Sequence, residues 1–366
     1  MCGEKKNVKD TVGEAALAEI IRQIEPADRA SRRAAKNRWM QVGKPLFSLG
    51  KLEEAVSSIA GMKGTADYEL TKKGLLIFCA DNGVVREGVT QTGQEVTALV
   101  AENFTRHQAS VCMMAEVAGV DLFPVDIGMA VDVPSVTRPG DKIARGTKDF
   151  ALEPAMTRGE AVQAVLTGIR LVKEKKEAGY DILATGEMGI GNTTTSSAVA
   201  AVLLGESVEA VTGRGAGLST DGLERKRAVI RQGLERHQPD PLDVPDVLSK
   251  VGGLDIAGLA GVFLGGALSH IPVVIDGFIS ATAALCAARM APLAADYMLP
   301  SHSPKEPGGK LLLNALHLSP FIDCGMCLGE GSGAVAVMPL LDMGLSVYRR
   351  MPTFEEIKVE QYEVLK

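Results

Sequence analysis

Short apolar runs that end in polar, mostly glycine-containing turns recur along this chain, and helical stretches fill the intervals. The runs are LLIFCADNG after Gly74, VDLFPVDIG at 120–128, DILATGEMGIGN at 181–192, PVVIDG at 272–277 and YMLPSHS at 297–303. A short, near-continuous apolar run of this kind reads as a strand buried on both faces, as in a parallel sheet. Between them, the spacing predicts helices over Gln94–Ala118, Gly159–Ala178, 193–204, Asp221–Arg236, Ile256–Ser269, Ser280–Ala288 and Gly308–Leu316. Ala16, Leu17, Ile20, Ile21 and Ile24 predict one or two amphipathic helices over residues 11–38. This alternation indicates an α/β protein with a mostly parallel sheet flanked by helices. Ligands of such sheets bind beyond the carboxyl ends of the strands. Asp81-Asn82-Gly83, Asp126, Glu187, Asp276-Gly277 and Ser301-His302 are therefore expected to gather at one edge.

Composition narrows the function. Glycine makes up 40 of 366 residues, above the usual share of roughly 7%. That excess points to tight turns and close backbone approach. A net charge of −6 argues against a nucleic-acid partner. The 20 residues between Asp255 and Asp276 carry no Asp, Glu, Lys or Arg, which is the length of a membrane span. Pro272 interrupts them, so a buried helix followed by a strand is expected, with no membrane. The six cysteines are scattered and no apolar leader stands at the N-terminus, which fits a reducing cytoplasm. Cys324 and Cys327 form a lone CxxC with neither a second pair nor a nearby His pair. The histidines show no metal spacing either.

Four glycine-rich segments carry the chemistry. Gly186–Ser197 leads from a strand end into a Thr/Ser-rich helix start, where free backbone N–H groups suit a phosphate. A tight turn capped by Asn192 or Thr193 explains the same residues. Neither GK[ST] nor GxGxxG occurs here, so neither a P-loop nor a dinucleotide fingerprint is supported. Thr212–Ser219 adds backbone donors and is followed by Lys226, a phosphate cation or a solvated helix lysine. Asp255, in KVGGLDIAG, reads by default as a helix cap. Glu330, between glycines in LGEGSGA, reads either as a carboxylate at a helix N-terminus or as a general base with room beside it.

CADNGVVREGVT, GEMGIGNTT, KVGGLDIAG, DGFIS, PSHS and LGEGSGA, in this order, resemble the nicotinate-nucleotide–dimethylbenzimidazole phosphoribosyltransferase family. The resemblance runs from about residues 44–53 to Met338. It implies a Rossmann-like large domain over 61–330 and a small helical domain from the chain ends, 1–60 with part of 331–366. It also implies a homodimer. The implied reaction moves the phosphoribosyl group of nicotinate mononucleotide onto a benzimidazole nitrogen, with no cofactor and no metal. Glu330 falls on the family's base and Glu187 on a second carboxylate of the site. The nucleotide-binding set falls on Gly186, Gly189, Gly191, Asn192, Thr193, Gly213, Gly215 and Lys226. The base is assigned to Asp81, Asn82, Gln91, Met188 and Leu328. With only 4% aromatic residues, aliphatic side chains such as Met188 and Leu328 hold it in place of a ring stack. Two positions depart from the pattern. Asn82 stands where many relatives have His, and Cys327 where Arg is common. Both bear on which base is accepted: dimethylbenzimidazole, adenine or a phenol. A non-catalytic sensor of nicotinate nucleotides is the alternative outside enzymes.

Overall fold

A computed structural model describes residues 8–364. Helices α1 (Val8–Arg22), α2 (Arg29–Gln41) and α3 (Lys51–Lys63) precede strand β1 (Lys73–Ala80). Helices α4 (Glu95–Thr105) and α5 (Ser110–Ala118) lead to β2 (Val120–Gly128). After a long loop come α6 (Arg158–Glu177), β3 (Ile182–Met188), α7 (Asn192–Leu204), α8 (Val208–Val211), α9 (Thr220–His237), α10 (Val244–Val251) and α11 (Leu254–Leu268). The chain closes with β4 (Val273–Val274), α12 (Phe278–Met290), β5 (Met298–Leu299), α13 (Pro307–Ala315) and α14 (Ser332–Arg350).

The sheet is parallel throughout, in the order β2-β1-β3-β4-β5. Strand β1 lies inside it and is buried along its whole length, as its unbroken apolar run requires. Phe78 pairs with Val125 on one side and Glu187 on the other. The chain runs from β1 outward to β2 and then crosses back to β3 on the other side, so the strand order reverses at the β1/β3 boundary.

Helix α11 takes up most of the uncharged run between Asp255 and Asp276. It is 15 residues long and buried between α6, α12 and the sheet. Glycines let it approach α6: a Cβ on Gly168 would lie 2.0 Å from Gly258 O, and one on Gly261 2.0 Å from Val165 O. Among the described residues no helix is long and apolar enough to cross a membrane.

Several expectations change in detail. The helix expected over Gln94–Ala118 is two, because His107 adopts φ +54° and turns the chain between α4 and α5. The run at 272–277 pairs over only two residues before Asp276-Gly277 turns into α12. Residues 129–157 contain no helix or strand and are pinned to the sheet end instead. There Asp81 Oδ2 accepts from Ala130 N (2.7 Å), and Asp126 Oδ2 pairs with Lys142 (3.0 Å).

The chain ends meet. Helix α2 packs on α3, and α14 on α3 and α5. The rings of Trp39 and Tyr348 lie 5.2 Å apart, and Val42 bridges to Thr353. Helix α1 instead packs on α6, with Glu14 paired to Arg158 at 2.6 Å.

Candidate active site

A cavity of about 270 Å³ opens beyond the carboxyl ends of β3 and β4. Residues at the β3 end, the heads of α7 and α12, the turn at His302 and the loop before α14 line it.

Glu330 stands in the last of these. Gly329, Glu330 and Gly331 all have positive φ (+88°, +62° and +91°). Glycine adopts this freely, but a glutamate held there is strained, and such strain concentrates at functional positions. Gly186 permits the turn: a Cβ on it would lie 2.6 Å from Glu330 O. Glu330 Oε2 accepts from Val111 N at 3.1 Å, at the head of α5. Burial raises the Glu330 pKa, and that hydrogen bond only partly opposes the rise.

Glu187 faces the same loop from the end of β3, with Oε1 2.7 Å from the point where a Cβ on Gly329 would lie. Its pKa is pushed up to about 8, first by burial and then by Asp255. Asn192 Nδ2 donates to Glu187 Oε2 and, at 3.1 Å, to Asp255 Oδ2. Burial also raises Asp255, to about 6. Asp276 Oδ1 accepts from Gly333 N (2.7 Å) and Ala334 N (3.1 Å), which ties the β4 end to the head of α14. Ser301 Oγ donates to Asp276 O at 2.8 Å and lies 3.1 Å from His302 Nδ1.

The other end of the cavity has different chemistry. Thr193 and Gly215 line it, and Lys226 Nζ donates to Thr193 Oγ1 at 2.8 Å. Lys226 is only 1% exposed. Burial lowers its pKa to about 8, and the nearby Glu306 carboxylate opposes the fall. Glu306 Oε2 lies over Gly213, within 1.7 Å of where a Cβ would be, so a side chain there would push the carboxylate aside.

The residues read from sequence separate into groups. Glu187, Glu330, Gly189, Asn192, Thr193, Gly215, Met188 and Leu328 line the cavity. Gly186 and Gly213 pack against two lining residues, Glu330 and Glu306, Gly191 packs against Val85 and Asn82 at the α7 N-cap, and Lys226 lies directly behind Thr193. Asp81, Asn82 and Gln91 do not line it. Asp81 and Asn82 are buried below, and Gln91 is exposed, with Nε2 donating to Gly217 O. Two default readings are corrected. Asp255 is not the N-cap of α11, which is Gly253; it lies in the first turn, where Oδ1 accepts from Ile256 N (3.0 Å) and Oδ2 faces Asn192. Neither Asn192 nor Thr193 caps α7, whose N-cap is Gly191 at φ +94°. Glu306, Phe278, Ile279 and Met326 also line the cavity. Sequence reasoning missed them; for Glu306 the available signal was a carboxylate just before a helix-starting proline.

Comparison with known proteins agrees on the family. A phosphoribosyltransferase family model matches residues 24–359. A protein of Acetivibrio thermocellus named nicotinate-nucleotide–dimethylbenzimidazole phosphoribosyltransferase is 45% identical over 339 residues, 93% of this chain and 95% of that protein. One of the same name from Chloroflexus aggregans is 46% identical over 349 residues, 94% of this chain and 98% of that protein. A crystal structure of CobT from Thermus thermophilus superposes with a TM-score of 0.86 at 37% identity, covering 91% of this chain and all of that one. The chain belongs to the nicotinate-nucleotide–dimethylbenzimidazole phosphoribosyltransferase family, whose members are pentosyl-transferring enzymes.

Proposed function

We propose that this protein transfers the phosphoribosyl group of nicotinate mononucleotide to 5,6-dimethylbenzimidazole, giving α-ribazole 5′-phosphate and nicotinate for the lower ligand of cobalamin. One observation carries the reading: a single cavity has Thr193, backed by the buried Lys226, at one end and two facing carboxylates, Glu187 and Glu330, at the other.

The nucleotide phosphate lies at Thr193, Gly215 and Lys226, near the positive end of α7. The ribose C1′ then falls between the carboxylates. The C1′–N bond breaks with both electrons going to the nicotinate ring nitrogen, whose positive charge is thereby cancelled. A lone pair on one benzimidazole nitrogen forms the new bond on the opposite face, which inverts the configuration. Positive charge develops on the benzimidazole and acidifies its other N–H, and Glu330 accepts that proton. A raised pKa suits Glu330 to that task, because a base works best near the working pH. Ionised Glu187 stabilises an oxocarbenium-like C1′, as carboxylates do in glycosyl transfer. Met188 and Leu328 offer aliphatic walls for the flat base.

We also assign the protein to a homodimer and to the cytoplasm. Leu99, Met113 and Val117 are exposed on α4 and α5, beside the helix head that holds Glu330, and offer an apolar face for a second copy. The free thiols of Cys79, Cys112, Cys286, Cys324 and Cys327 suit a reducing compartment.

The test supplies purified protein with nicotinate mononucleotide and a panel of bases, reading products by mass. Ribazole phosphate is expected. Product with adenine or a phenol alone would move the base assignment, and no product with any base would leave the sensor reading.

A further inference from the structure

Glu187 and Asp255 share one hydrogen-bond donor, the amide of Asn192. Glu187 is 8% exposed and Asp255 fully buried. Among the described residues, no lysine, arginine or histidine pairs with either. Ionising both carboxylates here is opposed twice, by desolvation and by like-charge repulsion.

A second observation is independent of that amide. Asn82 Oδ1 is fully buried and has no donor. It lies 2.8 Å from the point where a Cβ on Gly253 would be, and Asp255 Oδ1 lies 2.4 Å from the same point. Asp255 Oδ1 already accepts from Ile256 N at 3.0 Å, so Asn82 Oδ1 is the bare acceptor, an uncompensated polar atom beside the pair.

We propose that Glu187, Asn192 and Asp255 form a unit that holds one proton in the empty cavity and releases it when a nucleotide bearing a cationic pyridinium ring enters. Asp255 and Asn192 are then positioning residues that set the charge of Glu187, and the site selects a donor whose ring nitrogen bonded to C1′ is positively charged. This inference rests on the transferase reading above. The proton passes to solvent, and no covalent step is involved.

The surroundings agree. Glu187 is faced by Asp255 on α11, Asp276 before α12, Glu330 before α14 and the neutral Asn192 on α7. Asp276 has compensation from His302 and from the N–H groups heading α14. Asp81 adds repulsion on Asp255, and the Cys79 thiol on β1 is held neutral by burial. Glu187 and Asp255 share a neutral donor with no countercharge among the described residues, and a cationic ring provides one.

The test is calorimetry of nicotinate mononucleotide binding at pH 7 in buffers of different ionisation enthalpy, which counts protons released. Wild type should release more than Asp255→Asn, by roughly half a proton, because that variant lacks the like charge that helps Glu187 keep its proton. Glu187→Gln, which removes the proton-binding group but leaves α11 untouched, should lose the same increment if Asp255→Asn folds poorly. Equal proton counts in wild type and both variants would overturn the proposal while leaving the transferase reading intact. Absence of nucleotide binding to wild type would overturn both.

Discussion

The two ends of the cavity differ in charge and in construction: carboxylates alone gather at one, while at the other a buried lysine stands behind Thr193 with the Glu306 carboxylate nearby. The carboxylate end rests on long-range contacts: Glu187 from β3, Asp255 from α11, Asp276 from the β4 turn and Glu330 from the loop before α14. The lysine end is put together from the head of α7, the glycine loop before α9, and α9 itself, where Thr193 and Gly215 meet Lys226. Within one cavity this separation suits a ligand with a cation at one end and an anion at the other. A pyridinium ribose phosphate has that form. The lysine end can bind without reacting, whereas the carboxylate end gains most of its strength as positive charge appears on the ribose and the base.

The sharpest way to break this division is Glu330→Gln. If proton acceptance lies there, kcat should fall by roughly 10² or more while the Michaelis constant for the nucleotide stays nearly unchanged. Wild-type turnover in steady-state kinetics would move the base elsewhere. Lys226→Ala should act in the complementary way. Losing a charged hydrogen bond to phosphate should raise the nucleotide Michaelis constant by roughly 10-fold or more, with a smaller effect on kcat. An equal fall of kcat in both variants would erase the distinction between the ends.

A smaller effect sharpens the carboxylate end alone. Glu187 and Asp255 are raised to about 8 and about 6 from ordinary values of 4.5 and 3.8. Groups raised in the folded state contribute stability that is complete below their unfolded values and is lost as pH rises through the folded ones. The empty enzyme should therefore lose thermal stability between about pH 5 and 8, and Asp255→Asn should flatten that slope. An unchanged slope in a pH series of melting temperatures would show that the pair is not the source.

The lysine end was the more legible in the sequence. Its glycines and Thr193 lie in contiguous motifs, and close backbone approach is a local property of glycine. The strands were legible because buried parallel strands are apolar throughout. The carboxylate end was legible only as separate tips. Asp255 reads locally as a cap, because Asp at a helix start is favourable for its own sake. Only the approach of the α7 head to α11 gives it Asn192 as a partner. Asn192 likewise reads as a cap until tertiary contact turns its amide toward two carboxylates. Asp81 carries a family motif, yet one of its oxygens anchors the 129–157 loop, a task that local sequence does not signal. Glu306 went unread because its contact, Gly213, is distant in the chain.

The most direct measurement is a crystal structure with nicotinate mononucleotide bound. The phosphate should contact Thr193, Gly215 and Lys226, with C1′ between Glu187 and Glu330. A phosphate bound at the carboxylate end, or outside the cavity, would contradict the account.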